Sequence, residues 1–103
     1  MKRANIFVNG ILAGQLEEIQ HGTLYRFSYA GDYVGQSVSL TMPTTQSSYD
    51  FDRFPPFFEG LLPEGIMLES LLRQSKVDRD DLLSQLICVG HDLVGNVTVE
   101  AAV

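Results

Sequence analysis

The stretch RANIFVNGILAGQL, residues 3–16, places two apolar runs around the dipeptide Asn9-Gly10. Asn-Gly readily adopts positive φ at both central positions of a type I′ turn, so the stretch predicts a β-hairpin with a two-residue loop. Such a loop pairs Val8 with Ile11. The resulting register places Ala4, Ile6, Val8, Ile11 and Ala13 on one face of the hairpin and Phe7, Leu12 and Leu16 on the other.

Alternating apolar and polar residues predict three more strands downstream of the hairpin. Residues 24–29 alternate with aromatic side chains on one face, and residues 37–42 alternate until Pro43, which lacks a backbone N–H for the ladder. Residues 97–101 form the fifth predicted strand. The intervening residues 43–56 are polar and lack a period, which predicts an exposed loop.

Two amphipathic helices are predicted before the last strand, after one helical turn at residues 57–62. The first, residues 64–76, has an apolar stripe of Met67, Leu68, Leu71 and Leu72. The second has Asp78 as its N-cap, ends at Gly90 and has a matching stripe of Leu82, Leu83, Leu86 and Ile87. Both stripes are predicted to pack on the sheet, which makes the chain a single α+β domain over residues 1–103.

The composition is that of one small globular domain, with 103 residues of which 45% are apolar and 19% charged. The formal charge is −6, and a surface of that sign repels phosphate backbones and favours basic protein partners. We therefore expect no direct binding of nucleic acid. The lone Cys88 cannot form an internal disulfide, so we expect a reducing, cytoplasmic setting. No apolar stretch approaches the roughly 20 residues that span a bilayer.

Motifs for phosphate binding are only partly matched. Gly90 and Gly95 have the outer glycine spacing of a phosphate-binding loop, but Asn96-Val97 stands where Lys and Ser/Thr are needed. The spacing instead predicts that Gly90 ends a helix and Gly95 opens a strand. His91 and Asp92 are adjacent on that turn and are expected to point apart, which argues against an acid/base pair.

Metal-binding motifs are equally incomplete. Asp78, Asp80 and Asp81 resemble the start of a calcium loop, but Leu83 and Val89 occupy the positions that require Gly and Glu. We expect these acids to lie at a helix start, and Cys88 to be a small core residue. The sequence therefore predicts no metal site, no cofactor and no enzymatic activity.

Ile66 is the residue that favours an interaction module. In the predicted helix it lies roughly opposite the apolar stripe, so it faces solvent or a partner. With Pro63 on one side and the rigid stretch FPPFF at residues 54–58 before it, Ile66 is a candidate anchor of a binding surface. The alternative is that an irregular first turn lets Ile66 pack into the core.

Several motifs, in order along nearly the whole chain, resemble the N-terminal domain of HipA-type toxin kinases. They are VNG at 8–10, SVSLTMP at 37–43, FFEGLLPEG at 57–65, DLLS at 81–84 and VGHDLVGNVTV at 89–99. The resemblance implies a small five-stranded, antiparallel, barrel-like sheet with two to three short helices. In HipA-type proteins this domain precedes a serine/threonine kinase whose targets are aminoacyl-tRNA synthetases.

This chain departs from the full-length kinases because it lacks their Gly-rich phosphate loop, catalytic-loop Asp and Asp-Phe-Gly motif. It begins with Met1 and ends soon after the last predicted strand, so it is also similar to the separate antitoxins of three-component, HipS-type systems. That similarity implies a shortened, HipT-like kinase as partner and a HipB-like DNA-binding protein reached through that kinase. The alternative is a non-catalytic structural or dimerisation domain cut from a full-length HipA-type kinase.

We choose residues 54–67 as the contact surface for such a kinase and call them the Phe54–Met67 segment. The candidate partner-binding residues within it are Phe54, Phe57, Phe58, Glu59, Pro63, Glu64, Ile66 and Met67.

Overall fold

The structure of the protein, a computed structural model, describes residues 2–93 and 95–102. Met1, Val94 and Val103 lie outside the described residues, so the predictions that include them are tested only for their neighbours. In chain order the elements are β1 (Lys2–Val8), β2 (Ile11–Gln20), β3 (Leu24–Tyr29), β4 (Ser48–Phe51), α1 (Pro56–Glu59), α2 (Gly65–Ser75), α3 (Leu82–Val89) and β5 (Val97–Ala101).

The hairpin of β1 and β2 forms as the sequence predicts. Asn9 and Gly10 have φ values of 51° and 80°, the left-handed conformation that a type I′ turn requires at both positions. Val8 pairs with Ile11 directly beside the turn. The Asn-Gly turn chemistry therefore sets the pairing of the first two strands.

Beyond Ile6 and Phe7 the register of the hairpin differs from the predicted one, because a β-bulge interrupts the pairing there. Because the bulge inserts one extra residue into β2, side chains beyond it turn to the opposite face. Leu16 consequently lies opposite Ala4 and is fully buried in the core, although a uniform register placed it on the other face.

The five strands form one antiparallel sheet in the order β4-β3-β2-β1-β5. Over the described residues, β4 and β5 are the two edges and do not pair with each other, so the barrel-like closure implied by the family resemblance is wrong. At one edge, β4 pairs with β3, and the guanidinium Nε of Arg26 lies 2.7 Å from a carboxylate oxygen of Asp50 across the pair.

The predicted fourth strand at residues 37–42 is also wrong, since β4 lies within the stretch predicted to be a loop. Residues 37–42 have only an isolated bridge between Ser39 and Met42. The Tyr29 hydroxyl accepts a hydrogen bond from the Val38 N–H at 3.0 Å and donates one to the Met42 carbonyl. These bonds use backbone groups that a ladder would have used. Val38 and Met42 are buried anchors of a loop, whereas Leu40 between them is exposed.

One face of the sheet, together with α1 and α3, encloses the core. The buried apolar residues are Ala4, Ile6, Val8, Ala13, Leu16, Tyr25, Phe27, Val38, Met42, Phe54, Phe58, Leu83, Leu86, Val97 and Val99. The predicted turn at 57–62 is shorter than expected, since α1 begins at Pro56 and ends at Glu59. Burial of the sheet face, α1 and α3 against one another is the main stabilising contribution to the fold.

The two longer helices bury their stripes unequally. α3 packs on β5 and β1, as predicted, whereas α2 packs against α3 and has no buried residue. Met67, placed in the buried stripe by periodicity, is exposed. Cys88, expected in the core, is exposed near the end of α3. The apolar face of α2 is thus only partly covered by α3.

The N-cap of α3 is Asp81 and not the predicted Asp78. An Asp81 carboxylate oxygen accepts a hydrogen bond from the Ser84 N–H at 3.2 Å, and the other oxygen is paired with the Lys2 ammonium. The Asp78 carbonyl instead accepts from the buried Gln85 side chain at 3.0 Å. Burial raises the pKa of the Asp81 carboxyl, but its bonds with Lys2 and Ser84 outweigh burial and hold the pKa below its usual value.

We expect Asp81→Ala to lower the free energy of unfolding by about 1–2 kcal/mol, because the cap and the ion pair are both lost. The folded pKa of Asp81 lies below the value of about 3.9 for an unfolded Asp, so its contribution is present above that pH and is lost as the pH falls through the folded value. Urea denaturation of wild type and variant between pH 7 and pH 3 measures this difference. Asp81→Asn, which keeps the capping oxygen, should lose less stability at pH 7 than Asp81→Ala, and equal losses would contradict a capping role.

Candidate functional site

The Phe54–Met67 segment divides into buried residues and exposed residues. Phe54 and Phe58 are buried, with the Phe54 ring 5.4 Å from Tyr25 and the Phe58 ring 6.0 Å from Phe27. These two side chains do not reach the surface, which corrects their predicted role as contacts. They hold the segment onto the sheet and thereby position the residues that are exposed.

The exposed part of the segment surrounds the start of α2. Ile66 is 83% exposed and Met67 is 70% exposed, so the alternative that Ile66 packs into the core is wrong. Glu64, the N-cap of α2, and Glu59 are also exposed, whereas Pro63 is half-buried. We call Ile66 and Met67 the Ile66 patch. It places two neighbouring large apolar side chains in solvent, next along the chain to the exposed Glu64.

A groove of about 490 Å³ runs between α2 and α3 next to the Ile66 patch. Its apolar walls include Leu61, Pro63, Met67, Leu71, Cys88 and Leu93. Asp92 is the charged residue among the described residues that line it. The groove exists because α2 packs against α3 without burying a residue, which leaves apolar side chains of both helices accessible.

Sequence analysis missed a second groove, of about 810 Å³, that residues 36–41 form with Pro56, Phe57 and Asn96. We call it the Leu40 groove, since Leu40 is 99% exposed at its wall. Phe57 is half-buried there and belongs to the Phe54–Met67 segment. The apparent strand alternation at 37–42 concealed this groove, because a strand would have paired the backbone that here forms a loop.

Several of the residues considered above for phosphate or metal binding have structural roles. Asp80, from the incomplete calcium-loop pattern, lies 3.5 Å from Nε2 of His21, whose Nδ1 lies 3.0 Å from Glu18. Hydrogen bonds to Glu18 and Asp80 raise the pKa of this exposed imidazole. Gly90 forms the C-cap of α3, and Gly95 has a φ of 99° before β5. Val94, which precedes Gly95 in the sequence, lies outside the described residues.

Residues 2–93 and 95–102 provide two further observations on the class of site. Within those ranges, His, Cys, Asp and Glu side chains form no group of three or more that could hold a metal ion. Among the helices described there, none is long and apolar enough to cross a membrane. The Ile66 patch and the two apolar grooves are the candidate site, since each includes residues of the Phe54–Met67 segment.

These features define a small α+β domain that exposes apolar surface on and next to the Phe54–Met67 segment, which buried aromatic residues hold onto the sheet. The chain belongs to the HipA N-terminal domain family, whose sequence profile matches residues 4–100. An uncharacterised protein of Haemophilus influenzae is 30% identical over 100 residues, which are 97% of this chain and 92% of that protein. A solved structure of the N-terminal domain of HipA toxin has 27% identity and a TM-score of 0.77, covering 100% of this chain and 94% of that one.

Proposed function

We propose that this protein is an antitoxin that binds a HipT-like serine/threonine kinase and neutralises it in a three-component toxin–antitoxin system. The observation that carries the proposal is the exposure of Ile66, 83%, and Met67, 70%, on a helix without a buried residue. Large apolar side chains held in solvent on a rigid element are typical anchors of protein interfaces. Membership of the HipA N-terminal domain family supports a role related to such toxins.

Electrostatics favour a kinase as the partner. The chain carries a net charge of −6, and Glu59 and Glu64, in the same segment as the Ile66 patch, are exposed. A kinase cleft that binds nucleotide phosphates is basic, so complementary charge accelerates association with an acidic domain. Inhibition then requires only that the bound domain block the cleft or restrain one of its loops. In this proposal the antitoxin has no catalytic activity, acts in the cytoplasm and meets a HipB-like DNA-binding protein only through the kinase.

Co-expression in bacteria tests the proposal directly. Induction of the HipT-like kinase alone should arrest growth, and induction together with this protein should restore it. The purified proteins should elute together on gel filtration, ahead of the free 11.4 kDa domain. Persistent growth arrest together with separate elution would refute the proposal.

A charge placed in the Ile66 patch should weaken the complex. We expect Ile66→Asp to raise the dissociation constant for the kinase at least about tenfold, because a carboxylate would be desolvated where an apolar anchor was buried. The thermal midpoint should stay nearly unchanged, since Ile66 is exposed and exposed substitutions change stability by about 0.5 kcal/mol or less. Isothermal titration calorimetry and thermal denaturation measure the two effects.

The matched control for Ile66→Asp is Val34→Asp. Val34 is 96% exposed and lies outside the Phe54–Met67 segment, so its substitution adds the same charge elsewhere. Equal weakening by both variants would mean that the added charge, and not the Ile66 patch, matters for binding.

The alternative function is a non-catalytic structural or dimerisation domain of a HipA-type kinase. The match to 94% of a solved N-terminal domain of HipA toxin favours it. The match to 92% of the Haemophilus influenzae protein favours a domain that stands alone, as the antitoxin proposal requires. Binding to a separate kinase without any loss of kinase activity would favour the structural alternative.

A further inference from the structure

Leu40 is held in solvent by a loop that is fixed on both sides. Val38 and Met42, two residues away in either direction, are buried in the core. The Tyr29 hydroxyl bonds to the backbone of both, and the Thr41 N–H donates to the Ser39 hydroxyl at 3.1 Å. A leucine that is 99% exposed on such a fixed loop loses little conformational entropy when a partner buries it.

The groove beside Leu40 differs in chemistry from the surface around the Ile66 patch. Its described lining residues carry no charge: Gln36, Ser37, Val38, Ser39, Leu40, Thr41, Pro56, Phe57 and Asn96. Apolar surface from Leu40, Pro56 and Phe57 alternates there with hydroxyl and amide groups. The chemistry fits an uncharged segment that carries apolar side chains and can exchange hydrogen bonds.

The size of the Ile66 patch requires a second contact area. A stable interface buries about 800 Å² on each partner and involves about 20–30 residues, far more than the Ile66 patch provides. The Leu40 groove shares Pro56 and Phe57 with the Phe54–Met67 segment, and that segment ends at the Ile66 patch. The third exposed apolar cluster, at Ile11 and Val34, lies outside the segment.

We propose that the Leu40 groove is the second half of the kinase-binding surface and seats an uncharged, apolar segment of the kinase, while the Ile66 patch of this acidic chain meets the basic cleft. This inference rests on the proposed function. A second copy of this chain is a less suitable occupant, because each copy carries −6 and the pair would repel. One partner that covers both areas comes closer to the size of an ordinary stable interface than a partner that covers the Ile66 patch alone.

Titration of the purified HipT-like kinase with wild type, Leu40→Asp and Val34→Asp tests the inference. Both variants add one negative charge at a position that is at least 96% exposed, so they match in charge and exposure. We expect Leu40→Asp to weaken binding at least about tenfold and Val34→Asp to change it about twofold or less. Leu40→Ser, which removes apolar surface without adding charge, should also weaken binding.

The outcomes separate the two proposals. If wild type binds the kinase and Ile66→Asp weakens binding, but Leu40→Asp behaves like Val34→Asp, the Leu40 groove is overturned and the proposed function stands. If wild type does not bind the kinase, the proposed function fails and the groove fails with it. Analytical ultracentrifugation covers the other occupant: a wild-type dimer that Leu40→Asp converts to the 11.4 kDa monomer would assign the groove to a second copy and overturn the inference.

Discussion

Replacing Gly90 with alanine is expected to lower the free energy of unfolding by on the order of 3–5 kcal/mol, because a side chain at this position has no space. A Cβ atom on Gly90 would lie 1.9 Å from the carbonyl oxygen of Val99 and 2.7 Å from its carbonyl carbon. Both are backbone atoms of β5. Relief would require α3 to move away from the sheet.

The close approach at Gly90 results from a hydrogen bond that joins α3 to β5. The Val99 N–H donates to the Gly90 carbonyl at 3.0 Å, and Val99 is also paired with Ile6 in β1. Separation of the helix from β5 would therefore break this bond and expose the fully buried Leu83 and Leu86 of α3.

Urea denaturation followed by circular dichroism measures the loss, with Gly31→Ala as the matched control. Gly31 has open space around its Cβ position, so this substitution should change stability by about 0.5 kcal/mol or less. A midpoint for Gly90→Ala within error of wild type would mean that α3 does not pack on β5 as described.

The second large effect is expected for Phe58→Ala, which should cost about 3–5 kcal/mol because a fully buried aromatic ring is deleted. The Phe58 ring contacts two neighbours, with ring centroids 6.0 Å from Phe27 and 5.2 Å from Phe57. It therefore joins α1 to β3. Thermal and urea denaturation measure the loss, and Phe58→Leu, which fills most of the space, should cost less than about 1.5 kcal/mol.

Phe58→Ala also tests whether the Phe58 side chain supports the binding surface from within or contacts the kinase directly. Since Phe58 is buried, any loss of kinase binding should follow the fraction of folded protein and disappear at low temperature where the variant is folded. Ile66→Asp is expected to show the opposite behaviour, with full folding and weak binding. A folded Phe58→Ala variant that binds as weakly as Ile66→Asp would indicate a direct or more extended contact.

The arrangement explains why the exposed surface is held in place. Phe54 and Phe58 fix the Phe54–Met67 segment from beneath, and Tyr29 fixes the loop that carries Leu40. The exposed apolar side chains therefore stay in solvent, because buried neighbours and hydrogen bonds fix the backbone that carries them. A binding partner can bury these side chains with little further loss of conformational entropy, because the loop is already ordered.

Sequence reasoning succeeded where structure depends on residues close together in the chain. The type I′ turn at Asn9-Gly10 needs only two residues with positive φ, and α2 follows from helical periodicity to within one residue at each end. The same periodicity identified Ile66 as opposite the apolar stripe, and it is exposed. The family, too, could be recognised from motifs such as FFEGLLPEG at 57–65, and residues 4–100 match its profile.

Sequence reasoning failed where distant residues compete for the same groups. Nothing local indicates that the Tyr29 hydroxyl bonds to the backbone at Val38 and Met42, so residues 37–42 resembled a strand. Nothing in the residues next to β4 identifies it as the partner of β3 either, because its four residues lie in a mostly polar stretch without a period. Phe54 and Phe58 were equally ambiguous, since an aromatic residue is favourable in a core and in an interface.

The sequence by itself determined the hairpin turn, the helical periods, the acidic charge and the family, because each follows from neighbouring residues or from composition. Only the tertiary structure decided that β4 and β5 stay unpaired over the described residues, that α2 packs on α3 without burying a residue, and that Leu40, Ile66 and Met67 remain in solvent. The physical reason is that burial is a property of the packed chain: one small core is filled by the sheet face, α1 and α3, and the apolar residues left over form the surface available to a partner.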